Sequence, residues 1–151
     1  MKVVLQRVKD ASVKVDGKIR GRIGRGVCLL VGIEKGDSEE GMRYLADKIV
    51  DLRIFPDAKG RMNRSLVETQ GEVLAVSQFT LAGSLKKGRR PSFDKAEDPL
   101  RAEELFENFV SRIKERGIRV DKGVFGAHMD VDLINDGPVT FIIQNRERES
   151  D

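Results

Sequence analysis

The 151-residue sequence has one cysteine, one histidine, no tryptophan and only four prolines. A single cysteine, Cys28, excludes an intramolecular disulfide and a multi-cysteine zinc site. A single histidine, His128, excludes the multi-histidine metal centres. No apolar run approaches the roughly 20 residues that a membrane-spanning helix needs. A P-loop and a properly spaced GxGxxG are both missing, which removes two familiar phosphate cradles. Gln6 and Arg7 interrupt the apolar start Val3-Val4-Leu5, so no signal-peptide layout is present. The expectation is a cytoplasmic protein with no metal or other cofactor and no membrane partner.

Hydrophobic residues make up 39% and charged residues 35%. The apolar periodicity is strong enough to reject disorder despite that charge. The length suits one domain, which buries about 70% of the surface its unfolded chain exposes. Residues 1–145 are read as that domain and 146–151 as a charged, flexible tail. The net charge is +3, yet Lys86, Lys87, Arg89 and Arg90 alone carry four positive charges within one short segment. Such local basicity suits a phosphate-bearing partner touched at one place; a solvated loop is the plainer alternative.

The chain opens with strand-like alternation over residues 3–8 and 13–15. Asp16-Gly17 then gives a hairpin signal, because both turn residues take positive φ. Val27 to Ile33 is almost wholly apolar, as in a central strand covered on both faces. Ser38, followed by Glu39 and Glu40, predicts a helix start, and Met42, Leu45, Ala46 and Ile49 recur at helical spacing. Arg53-Ile54-Phe55 reads as a short strand, and residues 72–81 as a second buried one. A long loop from Ala82 to Glu97 holds the basic cluster. Asp98 and Pro99 open the clearest helix, with Leu105, Phe106, Phe109, Val110 and Ile113 on one stripe and Gly117 at its end. Residues 124–134 alternate: Phe125, Ala127, Met129, Val131 and Leu133 face one way, and Gly126, His128, Asp130, Asp132 and Ile134 the other. A β-rich order with two helices inserted predicts an α+β fold.

Few residues can carry chemistry. His128 is the only histidine available to a Ser-His-Asp triad, and its place on the polar strand face predicts a solvated side chain. Asp130 and Asp132 share that face, which does not give two acids across a cleft. Gly21-Arg22-Ile23-Gly24 is read as a turn. Two segments stand out. Ser77-Gln78-Phe79-Thr80 ends a buried strand with polar side chains, which are costly to bury unpaired. Thr80 has the form of a nucleophile but no visible base. Asn135-Asp136-Gly137-Pro138-Val139-Thr140 joins two apolar stretches through a Gly-Pro step, the usual place for a cis peptide; an ordinary turn is the alternative.

Taken together, these segments resemble the D-aminoacyl-tRNA deacylase (D-tyrosyl-tRNA deacylase) family. The resemblance runs from Gln6-Arg7-Val8 through Gly32-Ile33-Glu34-Lys35, Ser77 to Leu81 and Arg90-Pro91-Ser92-Phe93 to Phe125-Gly126-Ala127 with Met129, and Asn135 to Thr140. It implies a compact β-barrel-like, mainly antiparallel sheet with two principal helices packed against it. It implies a homodimer with active sites at the subunit interface. It also implies hydrolysis of the ester of D-aminoacyl-tRNA for translation quality control, extending to glycine mischarged on tRNA(Ala). By the same resemblance Ser77, Gln78 and Thr80 are catalytic. Phe79, Phe125, Ala127 and Met129 bind substrate. Gly137 and Pro138, held by Arg7, form the chiral selector. Contact of Lys86, Lys87, Arg89 and Arg90 with tRNA phosphates is an expectation from charge alone.

Overall fold

The computed structural model describes residues 1–145; the expected tail, 146–151, lies outside the described residues. Strands are β1 (Lys2–Val15), β2 (Lys18–Ile23), β3 (Gly26–Gly32), β4 (Phe55–Pro56), β5 (Met62–Arg64), β6 (Glu72–Ser77), β7 (Val120–Lys122) and β8 (Asp130–Gln144). Helices are α1 (Glu39–Asp51), α2 (Leu66–Thr69) and α3 (Pro99–Glu115), with a 3-10 turn at Phe79–Ala82. The main sheet runs β2-β1-β3-β6-β7, and β8 pairs with β1. It is mixed: β1 is antiparallel to β2, β3 and β8, whereas β3–β6 and β6–β7 are parallel. Helices α1 and α3 lie in the two crossovers that parallel pairing requires.

The apolar run of β3 is explained by burial on both faces. Val27, Leu29 and Val31 join the larger core beneath α1 and α3, while Cys28 joins the smaller core on the opposite face. β6 divides likewise, with Val73 and Ala75 on one side and Leu74 and Val76 on the other. In β1 the odd residues change sides. Val3 and Leu5 face the larger core, but Ala11 and Val13 face the smaller one. A shift of β1–β8 register between Val8 and Asp10 supplies the extra residue that reverses the alternation.

This bend helps curl the sheet until β2 meets β7. Gly21 lies inside β2, not in the expected turn, and lets β7 approach closely, since a Cβ there would stand 2.9 Å from the Lys122 carbonyl oxygen. Asp121 accepts from the Arg22 backbone N–H at 2.8 Å, and Arg119 donates to the Arg22 carbonyl at 3.2 Å. The result is an α+β, nearly closed barrel-like sheet.

The caps follow the sequence. Ser38 accepts from Gly41 N–H, and Asp98 accepts from Leu100 N–H. Asp16 and Gly17 take φ of 50° and 74° in the β1–β2 turn. Arg112 of α3 and Arg116 at its C-terminal cap bind Asp47 of α1, at 3.0 and 3.1 Å. Helix α2, absent from the sequence reading, rests on a reciprocal cap between Ser65 and Glu68. Among the described residues no helix is long and apolar enough to cross a membrane.

Candidate functional site

The polar end of β6 opens into a cavity of about 610 Å³. Ser77, Gln78 and Phe79 line one wall, Phe125 to Met129 another, and Ala96, Glu97, Pro99 and Ala102 a third. Val31, Ile33, Val76 and Val131 form the apolar floor. The strand ends at Ser77, four residues before the expected Leu81. Gln78 still pairs with β3, its N–H donating to the Val31 carbonyl at 2.8 Å. The chain then folds back, with Leu81 N–H donating to Gln78 and Gly83 N–H to Thr80. Gly32 permits this return, because a Cβ there would lie 2.8 Å from Leu81 Cβ and 3.0 Å from the Gln78 carbonyl oxygen.

Of the expected catalytic residues, Ser77 and Gln78 face the cavity, whereas Thr80 is exposed on the turn and outside its lining. Gln78 links the two places by donating Nε2–H to Thr80 Oγ1 at 2.5 Å. Phe79, Phe125, Ala127 and Met129 all line the cavity.

Residues 124–129 differ from the expected strand. Ala127 N–H donates to the Val124 carbonyl, Gly126 takes a φ of 75°, and β8 begins only at Asp130. The alternation of burial survives, but its cause is a turn that presents Phe125 and Met129 to the cavity. His128 is exposed as expected, yet it borders the cavity.

A second cluster lies where β8 breaks register with β1. Gln6 pairs with Thr140 and Val8 with Asn135, so residues 136–139 bulge out opposite Arg7. Arg7, with 11% of its side chain exposed, clasps the bulge. Its Nε–H donates to the Asp136 carbonyl at 3.1 Å and lies 3.2 Å from Asp136 Oδ2. Its Nη1–H donates to the Ile54 carbonyl at 2.6 Å. β4 begins only at Phe55, shorter than the expected strand at 53–55, since its partner β5 ends at Arg64, where Ser65 caps α2. Asn135 Nδ2–H donates to the carbonyls of Arg7 and Val139 at 2.9 and 3.3 Å. At Gly137 a Cβ would meet Asn135 Oδ1 at 2.6 Å, so a larger residue would force the Asn135 side chain to shift. The Gly137–Pro138 peptide bond is cis. None of Arg7, Gly137 and Pro138 lines the cavity of its own chain.

A family model described as D-Tyr-tRNA(Tyr) deacylase matches residues 4–144. The chain belongs to that family. A D-aminoacyl-tRNA deacylase of Geotalea uraniireducens (strain Rf4) is 57% identical, covering 98% of this chain and 97% of its own. One of Aquifex aeolicus (strain VF5) is 53% identical over 97% and 99%. The solved structure titled c-Myc DNA Unwinding Element Binding Protein superposes with a TM-score of 0.89 at 39% identity, covering 95% of this chain and 98% of that one. A probable eukaryotic D-amino acid tRNA deacylase shares the fold, with a TM-score of 0.81 at 21% identity over 94% and 97%.

Sequence reasoning missed the third wall of the deacylase-family cavity. Ala96 and Glu97 are placed there by a bridge between Glu34 and Ala96 and by the Glu97 N–H donating to the Ile33 carbonyl at 3.1 Å. The Asp98-Pro99 helix start was the available signal, because it fixes where the loop must land. Lys86, Lys87, Arg89 and Arg90 lie apart from the cavity lining, on an exposed loop whose ends pair through Ser84 and Ser92.

Proposed function

We propose that this chain hydrolyses the ester joining a D-amino acid to the terminal adenosine of tRNA, releasing free D-amino acid and tRNA. The observation that carries the reading is a family match over residues 4–144 in a chain whose cavity is walled by Ser77, Gln78 and Phe79. Relatives at 53–57% identity carry the name of this activity.

The ester is already labile, so positioning and electrostatic stabilisation suffice. Water adds to the ester carbonyl, and the ribose oxygen leaves with a proton. Thr80 Oγ1 already accepts from Gln78, and no basic side chain bonds to it among the described residues. Thr80 therefore positions substrate, and the neighbouring ribose 2′-hydroxyl of tRNA assists the attack. The backbone N–H groups of Phe79 and Thr80 have no acceptor among the described residues, as expected at the start of a helical turn. They are available to a developing oxyanion. Phe125, Ala127 and Met129 hold the adenine.

The Gly137-Pro138 bulge is the chiral selector, and Arg7 keeps it in place. A selector built from main-chain atoms acts at the substrate α-carbon, whatever the side chain is. It rejects L side chains sterically. Glycine has no Cβ to reject, so glycine mischarged on tRNA(Ala) is a second substrate.

The selector acts from a partner subunit. It is not at its own chain's cavity, and the outer edge of β8 has no strand partner among the described residues. That edge strand exposes Ile134, Phe141 and Ile142. An open apolar edge of this length invites a second copy.

The test compares hydrolysis of D-tyrosyl-tRNA and L-tyrosyl-tRNA with EDTA present. Rapid loss of the D ester alone is expected. Thr80→Ala should slow it while leaving tRNA binding intact. Cleavage of both esters would refute chiral selection. Cleavage of neither by folded protein would leave nucleic-acid binding without turnover.

A further inference from the structure

The loop between the 3-10 turn and α3 carries a feature that ester hydrolysis alone does not use. Ser84 and Ser92 exchange backbone hydrogen bonds at 2.7 and 2.9 Å, making a hairpin stem. Its tip bears Lys86, Lys87, Arg89 and Arg90, all exposed, and none is in an ion pair among the described residues. Of the nearby carboxylates, Glu97 is 3.4 Å from Arg101, and Asp94 is exposed. Phe93 leaves the stem directly and packs edge-on against Phe79, with ring centroids 5.2 Å apart. Gly83 makes room, because a Cβ there would stand 3.0 Å from the Phe93 ring. Phe79 remains 61% exposed and Phe93 38%. Phe79 also borders the cavity. Two wet aromatic rings thus stand between a cavity and an uncompensated cationic tip.

A duplex backbone would ask only for the cations. Aromatic rings beside cations are the combination that binds single strands, with bases on rings and phosphates along the charges. We propose that Phe79, Phe93 and the Ser84–Ser92 hairpin form a platform for the unpaired 3′ nucleotides of tRNA, leading the terminal adenosine into the cavity. This rests on the tRNA reading above and adds which part of the substrate is held, and by what.

The test measures binding of wild-type protein to fluorescently labelled deacylated tRNA and to the same tRNA trimmed of its unpaired 3′ nucleotides. The trimmed tRNA should bind at least about tenfold more weakly, as expected for losing stacked bases. Replacing Lys86, Lys87, Arg89 and Arg90 together by Ala should weaken intact tRNA and flatten its salt dependence. With about 0.7 of log–log slope per single-strand phosphate, wild-type affinity should fall up to about 50-fold more than the variant's between 50 and 200 mM salt. Trimmed tRNA should hardly sense these changes. Phe93→Tyr should bind as wild type, whereas Phe93→Leu, apolar but without a ring, should lose roughly fivefold or more. Equal effects on intact and trimmed tRNA, or equal binding by the Tyr and Leu variants, would overturn the platform. Turnover of D-tyrosyl-tRNA by wild-type protein is scored separately. Selective binding without turnover would sink the deacylase reading alone, and turnover without selective binding would sink the platform alone.

Discussion

Arg7→Ala tests whether the bulge of β8 is a held device or a passive loop. The substitution removes donors from two carbonyls, Asp136 at 3.1 Å and Ile54 at 2.6 Å, and an ion pair with Asp136 at 3.2 Å. Hydrogen bonds from a charged donor contribute about 1.5–3 kcal/mol each. The Asp136 side chain is 29% exposed, so the ion pair itself adds little and is discounted as a near-surface pair. The two carbonyl bonds at the lower end give a loss of about 3 kcal/mol. In a chain of this size that lowers Tm by about 6–12 °C, which scanning calorimetry resolves. Arg7→Lys should fall between, because a single ammonium cannot reproduce the guanidinium fork.

The same variants should lose discrimination. With the clasp gone, the ratio of kcat/KM for D-tyrosyl-tRNA over L-tyrosyl-tRNA should fall by tenfold or more, with Lys again intermediate. A variant that unfolds earlier but keeps its D-to-L ratio would reduce Arg7 to a structural strut. Unchanged Tm and unchanged ratio would refute the energetic reasoning as well.

Gly137→Ala should cost stability and selectivity together, since its Cβ would press on Asn135 Oδ1, 2.6 Å away, while Asn135 is tied to Arg7 and Val139; a wild-type melting curve and D-to-L ratio would contradict this. Cys28 has a pKa pushed up to about 11 by burial, so Ellman's reagent at pH 8 should label it only in denaturant; rapid native labelling would show that the inner core opens. Asp47 is held below its ordinary pKa, first by the hydrogen bond from Arg112 and also by the one from Arg116. Its stabilisation is therefore complete above the unfolded value near 4 and is lost as pH falls through the folded value. Asp47→Asn should lower Tm at neutral pH and flatten its fall below pH 4; parallel curves for the two proteins would count against the helix-to-helix ion pairs.

The sequence displayed most clearly those elements whose cause is local. The Asp16-Gly17 turn, the caps Ser38 and Asp98 and the two-faced strand β3 are each dictated by a few neighbouring residues. Elements set by distant contacts were misread. Residues 78–81 have strand composition, but Gly32 on β3 leaves space for the chain to fold back. Ile54 has strand propensity, but the segment it would pair with turns into α2 at Ser65. Residues 124–129 alternate in burial like a strand although they form a turn, and Phe125 to Met129 all border the cavity. Glu97 carries no motif of its own; only the adjoining Asp98-Pro99 helix start bears on its place, which depends on where α3 begins relative to the end of β3.

The bulge opposite Arg7 shows why the segment from Asn135 to Val139 could be noticed without being understood from sequence. Along most of β8 the ladder to β1 holds the backbone, so side chains need only alternate. Between Asn135 and Val139 the ladder is interrupted, and the carbonyls and N–H groups there need partners from elsewhere. Arg7 donates to the Asp136 carbonyl and Asn135 to the Val139 carbonyl, and Gly137 leaves the space that Asn135 occupies. A segment released from the ladder frees main-chain atoms that the paired stretches of β8 commit to β1. It then depends on a few named side chains instead of a repeating pattern. Change on the helical face, as at Asp47, should therefore move stability with little effect on selectivity. Change at Arg7, Asn135 or Gly137 should move both, because under the proposed function the atoms that hold this bulge are also those that select.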